Sequence, residues 1–507
     1  MADLSKLKVA LCQIEAVQGH PSSYELALHN LVERVKLTGA DLAVFPAPQR
    51  GEQPRLVAMN GSVLLQEEAR ATLSAQGELF HIALGDGPND ARDDCDFAIV
   101  SDWTPWTLAG AEPQLPAGMP CIQTNPIGIE NHDKRIVAFD GASKAVLNDG
   151  TVVARLRDDF TGDYTPFTFA GGGRIADACD MKALRAIVSS IRRFDAFALS
   201  WHPKWVIGLS GGLDSSVVAA LLVMALGPNR VIGYNLATRY NSDATKANAA
   251  SLAEALGIEL RNGSIEQLVK ATGDTLSQYG YPDDAMSGLV LENVQARLRG
   301  HALSTFSAIE GGVVANNGNR IEAALGYATL YGDAIGALAP IGDLTKVQLF
   351  DLSRQINEVF EKEIVPENLL PIETEDGFIW ETMPSAELAD GQRDPMKWFY
   401  HDWLVTQLLD ETACDPCPIM QGYLDDRLAS TPVAKWLEYY GLADDPAAFM
   451  EDLEWVTRSM RTAAFKRIQA PPAIRIASPA SIASAPEWQG TLEPSTRYEE
   501  LKRAILG

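Results

Sequence analysis

The sequence predicts an α/β protein that is divided into two structural parts. From Trp205 to Leu256, apolar runs of strand length alternate with helical stretches, which is the pattern of a parallel, doubly wound sheet. Before residue 170 the runs are shorter and are joined by turns, which is typical of a layered α/β or α+β domain. Three glycines, Gly171–Gly173, separate the two patterns. We therefore expect domains over residues 1–170 and 181–476, followed by a loosely attached Ala/Ser/Pro-rich tail over 477–507.

Each element of the first part follows from an apolar pattern. Leucine and valine residues at helical spacing predict a helix over Ser22–Leu37. The turn Asn148-Asp149-Gly150 predicts a hairpin between Lys144–Leu147 and Thr151–Arg155. The other strands are predicted from apolar runs at Lys8–Ile14, Asp41–Phe45, His81–Leu84, Asp96–Val100 and Cys121–Thr124.

The second part begins with an amphipathic helix over Met181–Phe197 and then alternates between strands and helices. The serine at the start of the last helix in this series is a favourable N-cap. The series consists of a strand at Trp205–Leu209, a helix at Ser215–Leu226, a strand at Val231–Asn235 and a helix at Ser242–Leu256. From Asp402 onward helices dominate.

Composition and charge exclude several classes of protein. The 507 residues are 46% hydrophobic and 21% charged, so the chain can bury a core and is not intrinsically disordered. The 67 acidic and 42 basic residues give a net charge of -25, which argues against a nucleic-acid partner. Six cysteines are too few for a disulfide scaffold in a chain of this length. The first residues lack a signal-peptide pattern, and the longest apolar run is too short to span a bilayer. We therefore expect a soluble, cytoplasmic protein with no membrane partner.

The most informative segment is the loop Ser210-Gly211-Gly212-Leu213-Asp214-Ser215 between a buried strand and a helix. Glycines let the backbone approach an anion, and the free N–H groups of the helix start point toward it. The serines add hydroxyl donors, and Asp214 can hold a magnesium ion. The loop matches neither G-x-x-x-x-G-K-[ST] nor G-x-G-x-x-G, which disfavours both of those nucleotide-binding folds.

This loop resembles the pyrophosphate loop of the ATP pyrophosphatases, which use ATP to adenylate an acid and release pyrophosphate. Further segments resemble, in the same order, the NAD synthetases of that family. These segments are Glu292–Arg299, Ala324–Tyr327, Tyr331–Asp333, Pro340 with Leu344–Lys346, Pro384–Leu388 with Gln392 and Asp394, and Lys466–Pro472.

The resemblance implies a role for particular residues. Asp214 and Lys346 are implied to be catalytic, and Asp214 and Glu322 to bind Mg²⁺. The implied ATP-binding residues are Ser210, Gly211, Gly212, Asp214, Ser215 and Lys346. The implied dinucleotide-binding residues are Arg297, Asp333 and Ser385.

Elementary chemistry leaves plainer roles open for several of these side chains. Glu322 can be a helix-start carboxylate that the helix dipole stabilises, and Asp333 can be a turn former. Arg297 and Arg299 diverge by about 200° on a helix, so at most one of them faces a given phosphate. Lys346 lies at a predicted helix start, where the dipole disfavours a cation unless an anion accompanies it.

One segment departs from the family pattern. NAD synthetases of this type carry T-G-N-K-S-E where this chain has Asn317-Gly318-Asn319-Arg320-Ile321-Glu322. Arginine keeps the charge of lysine but not its geometry as a point donor. Isoleucine cannot replace a serine hydroxyl. The departure bears on the details of ATP binding more than on the reaction.

The first part resembles the nitrilase-type glutaminase domain of glutamine-dependent NAD synthetases, with an α-β-β-α layered fold. The match rests on Val9–Ile14, Gly39–Leu42 and Asn125–Gly141. Such a domain uses a Glu–Lys–Cys set: a base, a cation for the oxyanion and a thiolate nucleophile. Here Ala47 follows Phe-Pro in place of Glu, and no lysine occurs between Lys36 and Lys134. The segment 101–105, where the nucleophile belongs, contains no cysteine. We therefore expect a catalytically inactive domain.

The resemblance implies amidation of deamido-NAD to NAD by MgATP through an adenylated intermediate. Without a glutaminase, ammonia would supply the nitrogen. The family also implies a homodimer or a larger homo-oligomer. Two alternatives stay open. One is an ATP pyrophosphatase that amidates a different carboxylate, and the other is a non-catalytic nucleotide-binding sensor.

Overall fold

The computed structural model describes residues 2–16, 21–85, 94–110, 115–116, 118–375, 377–384, 388, 394–483 and 494–507. The chain forms two compact units, residues 1–194 and 195–507. The first unit therefore extends beyond the expected boundary at residue 170. The glycine run is not a linker, because a Cβ on Gly173 would lie 2.5 Å from the carbonyl oxygen of Val153 in a neighbouring strand.

The first unit consists mainly of β-strands. Its helices are α1 (Pro21–Lys36) and α2 (Lys182–Ala198), the second of which continues past the division between the units. Its strands are β1 (Val9–Gln13), β2 (Leu42–Phe45), β3 (Arg55–Ala58), β4 (Val63–Gln66), β5 (Arg70–Ala75), β6 (Glu78–Gly85), β7 (Phe97–Ser101), β8 (Cys121–Thr124), β9 (Ile127–His132), β10 (Arg135–Asp140), β11 (Lys144–Val146), β12 (Val152–Arg155) and β13 (Asp163–Phe167).

Two sheets of the first unit share one apolar core. The smaller sheet has the strand order β13-β1-β2-β3, and the larger has the order β12-β11-β8-β7-β6-β5-β4. Leu11 and Val44 from the smaller sheet belong to the same buried cluster as Phe80, Phe97 and Ile122 from the larger. The predicted layered α/β fold is confirmed.

The predicted hairpin is present, with β11 antiparallel to β12 and Lys144 opposite Arg155. Strand β8 has the predicted bounds. The sequence analysis did not predict β3–β5, because β3 and β4 carry exposed and half-buried residues and β5 buries only alternate residues, so none of them is a continuous apolar run.

The second unit combines a parallel sheet with many helices. Its strands are β14 (Trp205–Gly208), β15 (Val231–Ala237), β16 (Glu259–Ser264), β17 (Val313–Val314), β18 (Ile372–Thr374), β19 (Gly377–Ile379) and β20 (Ala473–Ile474). Its helices are α3 (Leu213–Leu226), α4 (Asp243–Leu256), α5 (Glu266–Gln278), α6 (Gly288–Ile309), α7 (Arg320–Leu325), α8 (Lys346–Phe360), α9 (Tyr400–Thr406), α10 (Cys417–Leu424), α11 (Ala434–Tyr439), α12 (Pro446–Thr462), α13 (Ala464–Gln469), α14 (Pro479–Ala483) and α15 (Thr496–Leu506).

The parallel sheet has the strand order β16-β15-β14-β17. The chain therefore runs outward from β14 through β15 to β16 and then returns to the other side of β14 with β17. In such sheets the crevice between strands whose connections run in opposite directions lies at their carboxyl ends, and it is the usual ligand site. The loops that follow β14 and β17 flank this crevice.

Residues 477–483 and 494–507 differ from the loosely attached tail expected over 477–507, and residues 484–493 of that tail lie outside the described residues. Ser478 and Ser481 are buried. Helix α15 packs on α10 and α12, and its Leu501 and Ile505 belong to the apolar core of the helical region. The Ala/Ser/Pro composition concealed this packing, because small residues fit close contacts as well as they fit linkers. Within the described residues, no helix is both long and apolar enough to cross a membrane.

Candidate functional site

The loop after β14 leads directly into helix α3. The helix begins at Leu213 with Gly212 as its N-cap, and no side chain caps its N-terminal N–H groups. The hydroxyl of Ser210 accepts a hydrogen bond from the Gly212 N–H (3.2 Å) and lies 3.2 Å from the Ser215 hydroxyl. An uncapped helix start with hydroxyls beside it is a site for an anion such as phosphate.

Gly211 is required at its position by two features. Its φ is +82°, a left-handed conformation that side chains disfavour. A Cβ there would lie 1.8 Å from the carbonyl oxygen of Thr245 in helix α4. The Ser242 hydroxyl caps this helix by accepting from the Thr245 N–H, as the sequence predicts. The loop and the α4 start are therefore packed backbone against backbone.

Lys346 lies at the first position of α8, and its partner is Asp214. The Nζ atom is 2.5 Å from Asp214 Oδ2, although 132 positions separate the two residues in sequence. Only 3% of Lys346 is exposed. Burial acts to lower its pKa, but the charges of Asp214 and Glu322 raise it above the ordinary value. The Nζ atom also lies 5.4 Å from the centre of the Trp398 ring. The predicted anionic partner of Lys346 is thus present.

Asn319 joins the two carboxylates of the site. Its side-chain oxygen accepts from the Glu322 N–H (3.0 Å), and Glu322 Oε2 accepts from the Asn319 N–H (3.1 Å), which is a capping box on α7. The Asn319 amide nitrogen lies 3.5 Å from Asp214 Oδ1. Glu322 is therefore a helix-start carboxylate that also faces the charge of Asp214. The preceding loop is tied to the end of β14, because the Asn317 amide donates to the Gly208 carbonyl (2.9 Å).

Asp214 and Glu322 fit a divalent cation that binds together with a nucleotide. Mg²⁺ takes carboxylate oxygens and commonly completes its shell with substrate phosphates and water. Burial, and secondly the charge of Asp214, raise the pKa of Glu322 to about 8. A cation bound beside Glu322 would favour its ionised form. In the part of the chain that the structure describes, no group of three or more His, Cys, Asp or Glu side chains could hold a metal ion. The two carboxylates suit a metal that arrives with phosphate.

Two of the three residues expected to bind a dinucleotide, Arg297 and Asp333, belong to a second cluster. Arg297 on α6 donates from Nε to the carbonyl of Leu330 (3.3 Å), and Asp333 accepts from the Thr329 N–H (2.6 Å). Both residues thus belong to one junction between α6 and the loop after α7. Arg299 points elsewhere, to the carbonyl of Leu236 at the end of β15 (3.2 Å). The two arginines diverge as their helical spacing predicts.

Other members of the resembling segments extend this second cluster. Lys466 donates to the carbonyls of Gly326 (2.6 Å) and Ala328 (2.7 Å). The Asn316 amide donates to the carbonyls of Asp333 and Ile335, each at 2.8 Å, and so links the cluster to the loop after β17. Ser385 and Gln392 lie outside the described residues.

Arg320 faces away from the Asp214–Lys346 pair. It is 3% exposed and forms an ion pair with Asp410, and its Nε lies 3.9 Å from Asp343 Oδ1. A guanidinium can pair with two carboxylates where the lysine ammonium of the family pattern acts as a point charge. At this position the chain therefore has an arginine that pairs with Asp410.

Sequence reasoning missed Asn319, Trp398 and Asp402. An Asn followed three residues later by Glu is a capping-box signal, which could have identified Asn319. Asp402 accepts from the Val347 N–H at the start of α8 (3.2 Å) and from the Phe399 N–H (3.0 Å). No local pattern identifies Trp398 or Asp402, because their role depends on where α8 packs.

The first unit buries the positions where the nitrilase-type chemistry belongs. Ala47 is fully buried after β2, and Ser101 and Trp103 at the end of β7 are buried as well. Burial raises the pKa of Cys121 to about 12 and that of Cys12 still further. These two thiols are core residues that stay protonated.

In fold, the chain resembles two-domain NAD synthetases. Over 98% of its length it matches the glutamine-dependent NAD(+) synthetase of Cytophaga hutchinsonii, covering 99% of that chain with a TM-score of 0.68 and 14% identity. The glutamine-dependent NAD+ synthetase of Acinetobacter baumannii matches over 93% of this chain and 96% of its own, with a TM-score of 0.61 and 18% identity. At these identities the likeness concerns the fold.

The sequence comparison gives the family. Residues 195–413 match the family described as NAD synthase. The NH(3)-dependent NAD(+) synthetase of Trichlorobacter lovleyi is 33% identical over 231 residues, which cover 45% of this chain and 76% of that protein. The glutamine-dependent NAD(+) synthetase of Synechocystis is 34% identical over 290 residues, which cover 54% of this chain and 47% of that protein. The chain belongs to the NAD synthase family, and it spans about half the length of the glutamine-dependent relatives that it matches.

Proposed function

We propose that this protein is an NAD synthetase that amidates deamido-NAD to NAD with MgATP and free ammonia. The observation that carries the proposal is the convergence of the Ser210–Ser215 loop, Lys346 and the two carboxylates at the switch point of the parallel sheet. In this reaction the nicotinate carboxylate attacks the α-phosphorus of ATP and displaces pyrophosphate. Ammonia then attacks the adenylated carboxyl carbon, and AMP leaves.

The loop Ser210–Ser215 and Lys346 position the triphosphate and neutralise its charge. The N-terminal N–H groups of α3 and the hydroxyls of Ser210 and Ser215 donate to phosphate oxygens. Lys346 places a buried positive charge beside the phosphate oxygens. As ATP binds, the Lys346 ammonium exchanges Asp214 for a phosphate oxygen. Catalysis of this kind rests on orientation and charge stabilisation, without a nucleophile from the protein.

Asp214 and Glu322 would hold Mg²⁺ at this site. The metal would supply positive charge that offsets the charge developing on the phosphates. The metal role is supported by the placement of Asn319, which caps Glu322 and lies 3.5 Å from Asp214 Oδ1 and so brings the two carboxylates to one place.

Arg297, Asp333 and Ser385 would bind the dinucleotide. Asp333 belongs to the short loop of residues 329–333, and Arg297 contacts this loop. A ligand that touches the loop therefore meets an arginine and a carboxylate together. A guanidinium suits a phosphate of the ligand, and a carboxylate suits its hydroxyl or ring N–H groups.

Ammonia as the nitrogen source follows from the chemistry of the first unit. Ala47 cannot act as a base, the thiols of Cys12 and Cys121 are protonated, and the segment from Ser101 to Pro105 contains no thiol. The unit would then be a pseudo-glutaminase that retains the fold without the hydrolysis.

The decisive experiment mixes purified protein with deamido-NAD, ATP and magnesium, and follows NAD with either ammonium or glutamine as the nitrogen source. We expect NAD, AMP and pyrophosphate in equal amounts with ammonium and no NAD with glutamine alone. NAD from glutamine would overturn the pseudo-glutaminase assignment. Absence of NAD with both sources, together with ATP cleavage on another carboxylate, would mean that the chain amidates a different acid. Nucleotide binding without any turnover would identify a sensor.

The family also favours a homodimer or a larger homo-oligomer in a cytoplasmic setting. Exposed apolar side chains such as Tyr279 and Leu289, at the end of α5 and the start of α6, are compatible with a subunit contact. Light scattering on the purified chain across a dilution series measures the state directly. A mass that stays at one chain at all concentrations would contradict this part of the proposal.

A further inference from the structure

Two buried residues, Arg320 and Asp343, and two half-buried ones, Asp410 and Arg475, form an ionic network near the Asp214–Lys346 pair. Asp343 has no exposed surface, and Arg475 Nη1 lies 2.9 Å from its Oδ1 atom. Arg320 pairs with Asp410, and its Nε lies 3.9 Å from the same Oδ1 atom of Asp343. The network contains two cations and two anions, so its charges balance. A balanced network is one of the few arrangements that allow ions to be this buried.

The other oxygen of Asp343 organises the C-terminal segment Arg475–Ser481. Asp343 Oδ2 accepts from the main-chain N–H groups of Ile476 (2.8 Å) and Ala477 (2.7 Å) and from the Ser481 hydroxyl (3.0 Å). A single carboxylate therefore collects three donors from one segment in addition to Arg475. These contacts explain why a segment of small residues is fixed in place.

The network reaches the two segments of the chain that carry Glu322 and Lys346. Arg320 is the first residue of α7, two positions before Glu322, and Asp343 precedes Lys346 by three positions. The main-chain N–H of Arg320 also donates to the carbonyl of Leu344 (2.9 Å), which joins these two segments directly. A displacement of Asp343 is therefore transmitted to both Glu322 and Lys346.

We infer that Arg475 and Asp343 are positioning residues through which the C-terminal segment Arg475–Ser481 sets the placement of Lys346 and Glu322. Within the described residues, their side chains make polar contacts with Arg320, with each other and with the segment 475–481, so both act through the segments that they hold. The inference rests on the proposed function, because it assigns Lys346 and Glu322 to MgATP. It extends that function by making residues far beyond the matched range 195–413 part of the working site.

The test compares three variants of the full chain. Arg475→Gln removes the charge that faces Asp343, and Arg475→Lys keeps it. Arg230→Gln is the matched control, because Arg230 Nη2 forms a similar pair with the buried Asp195 (2.7 Å). Arg230 directly precedes β15, at the opposite end of that strand from the site. We measure kcat, the KM for ATP and the unfolding midpoint, and we assay well below that midpoint.

We expect Arg475→Gln to lower kcat about 10- to 100-fold, the usual cost of losing a residue that orients another ligand-binding group. Arg475→Lys should recover most of this loss. Arg230→Gln should lower the unfolding midpoint and leave kcat unchanged. Equal kcat values for Arg475→Gln and wild type, with only a lower midpoint, would show a merely structural role and overturn the inference.

A second measurement separates this inference from the proposed function. If the wild-type chain makes no NAD, the function is refuted, and calorimetric titration with MgATP still tests the positioning. Weaker MgATP binding by Arg475→Gln than by both Arg475→Lys and Arg230→Gln would support the inference. Equal affinities in all of them would overturn it.

Discussion

Replacement of Lys346 by methionine is the sharpest single test of the site. Lys346→Met removes the charged ammonium and keeps an unbranched apolar side chain that is one heavy atom shorter. In the free protein this leaves Asp214, which is 2.5 Å from Lys346 Nζ, without its cationic partner. In the proposed complex with ATP, the substitution removes the positive charge that lies beside the triphosphate. The change should therefore reduce both stability and turnover.

The structure sets the size of both effects. Two unit charges about 4 Å apart attract each other by about 4 kcal/mol at an effective dielectric constant of about 20. The loss of this attraction is partly offset, because the variant is also spared the free-energy cost of burying an ammonium group. Breaking a fully buried pair costs about 3–5 kcal/mol, and we expect about 2 kcal/mol here. The lower figure follows because 19% of the Asp214 side chain is exposed. Loss of a donor that stabilises charge in the transition state lowers kcat by about 100- to 1,000-fold.

The assay has an internal control in the same unit. Lys435 also pairs with a carboxylate, that of Glu373 at 2.9 Å, and its Nζ lies 4.8 Å from the Trp436 ring centre. The Glu373 side chain is 59% exposed, so Lys435→Met should change the free energy of unfolding by less than about 1 kcal/mol and leave kcat alone. Urea unfolding and steady-state NAD formation measure the two quantities. A kcat for Lys346→Met within the scatter of the wild-type value would refute the assignment of Lys346 to ATP.

Three further outcomes are expected. Gly211→Ala should abolish MgATP binding in calorimetric titration and lower the melting temperature, because its Cβ would overlap the Thr245 carbonyl; unchanged binding would contradict the loop geometry. Glu322→Gln should raise the Mg²⁺ concentration for half-maximal turnover by about 10- to 100-fold, and an unaltered Mg²⁺ requirement would exclude this carboxylate as a ligand. Burial opposes the shift, but the hydrogen bond from His401 helps to hold the pKa of Asp452 below its ordinary 3.8. The stability that Asp452 adds is therefore present above about pH 4 and is lost as the pH falls through the lowered value. Urea unfolding of Asp452→Asn should show a flatter acid limb than wild type, and parallel limbs would argue against this account.

Elements that follow from a continuous periodic pattern could be predicted from the sequence. Strand β8 is an apolar run with clear ends, and α3 is an apolar segment that follows two glycines, so both were located correctly to within two residues. The loop Ser210–Ser215 was recognisable because small residues between a buried strand and a helix leave few other conformations. Lys346 at a helix start signalled a nearby anion, and the structure supplies Asp214.

Contacts between distant segments could not be predicted in this way. The partners of Arg320 lie at positions 343 and 410, and nothing in the local sequence distinguishes a buried guanidinium from one that faces solvent or phosphate. The packing of α15 was missed for the same reason, since Leu501 and Ile505 are few apolar residues in a charged helix. Their burial depends on the surface that α10 and α12 provide.

The separation of Asp214 and Lys346 along the chain has a consequence for when the candidate site is completed during folding. The 132 positions between them include the return of the chain to β17, so a nascent polypeptide that ends before Lys346 has an incomplete candidate site. If the site binds MgATP as proposed, affinity for MgATP reports on the assembled sheet as a whole. By mass action a nucleotide bound there would then pull the population toward the fully assembled fold.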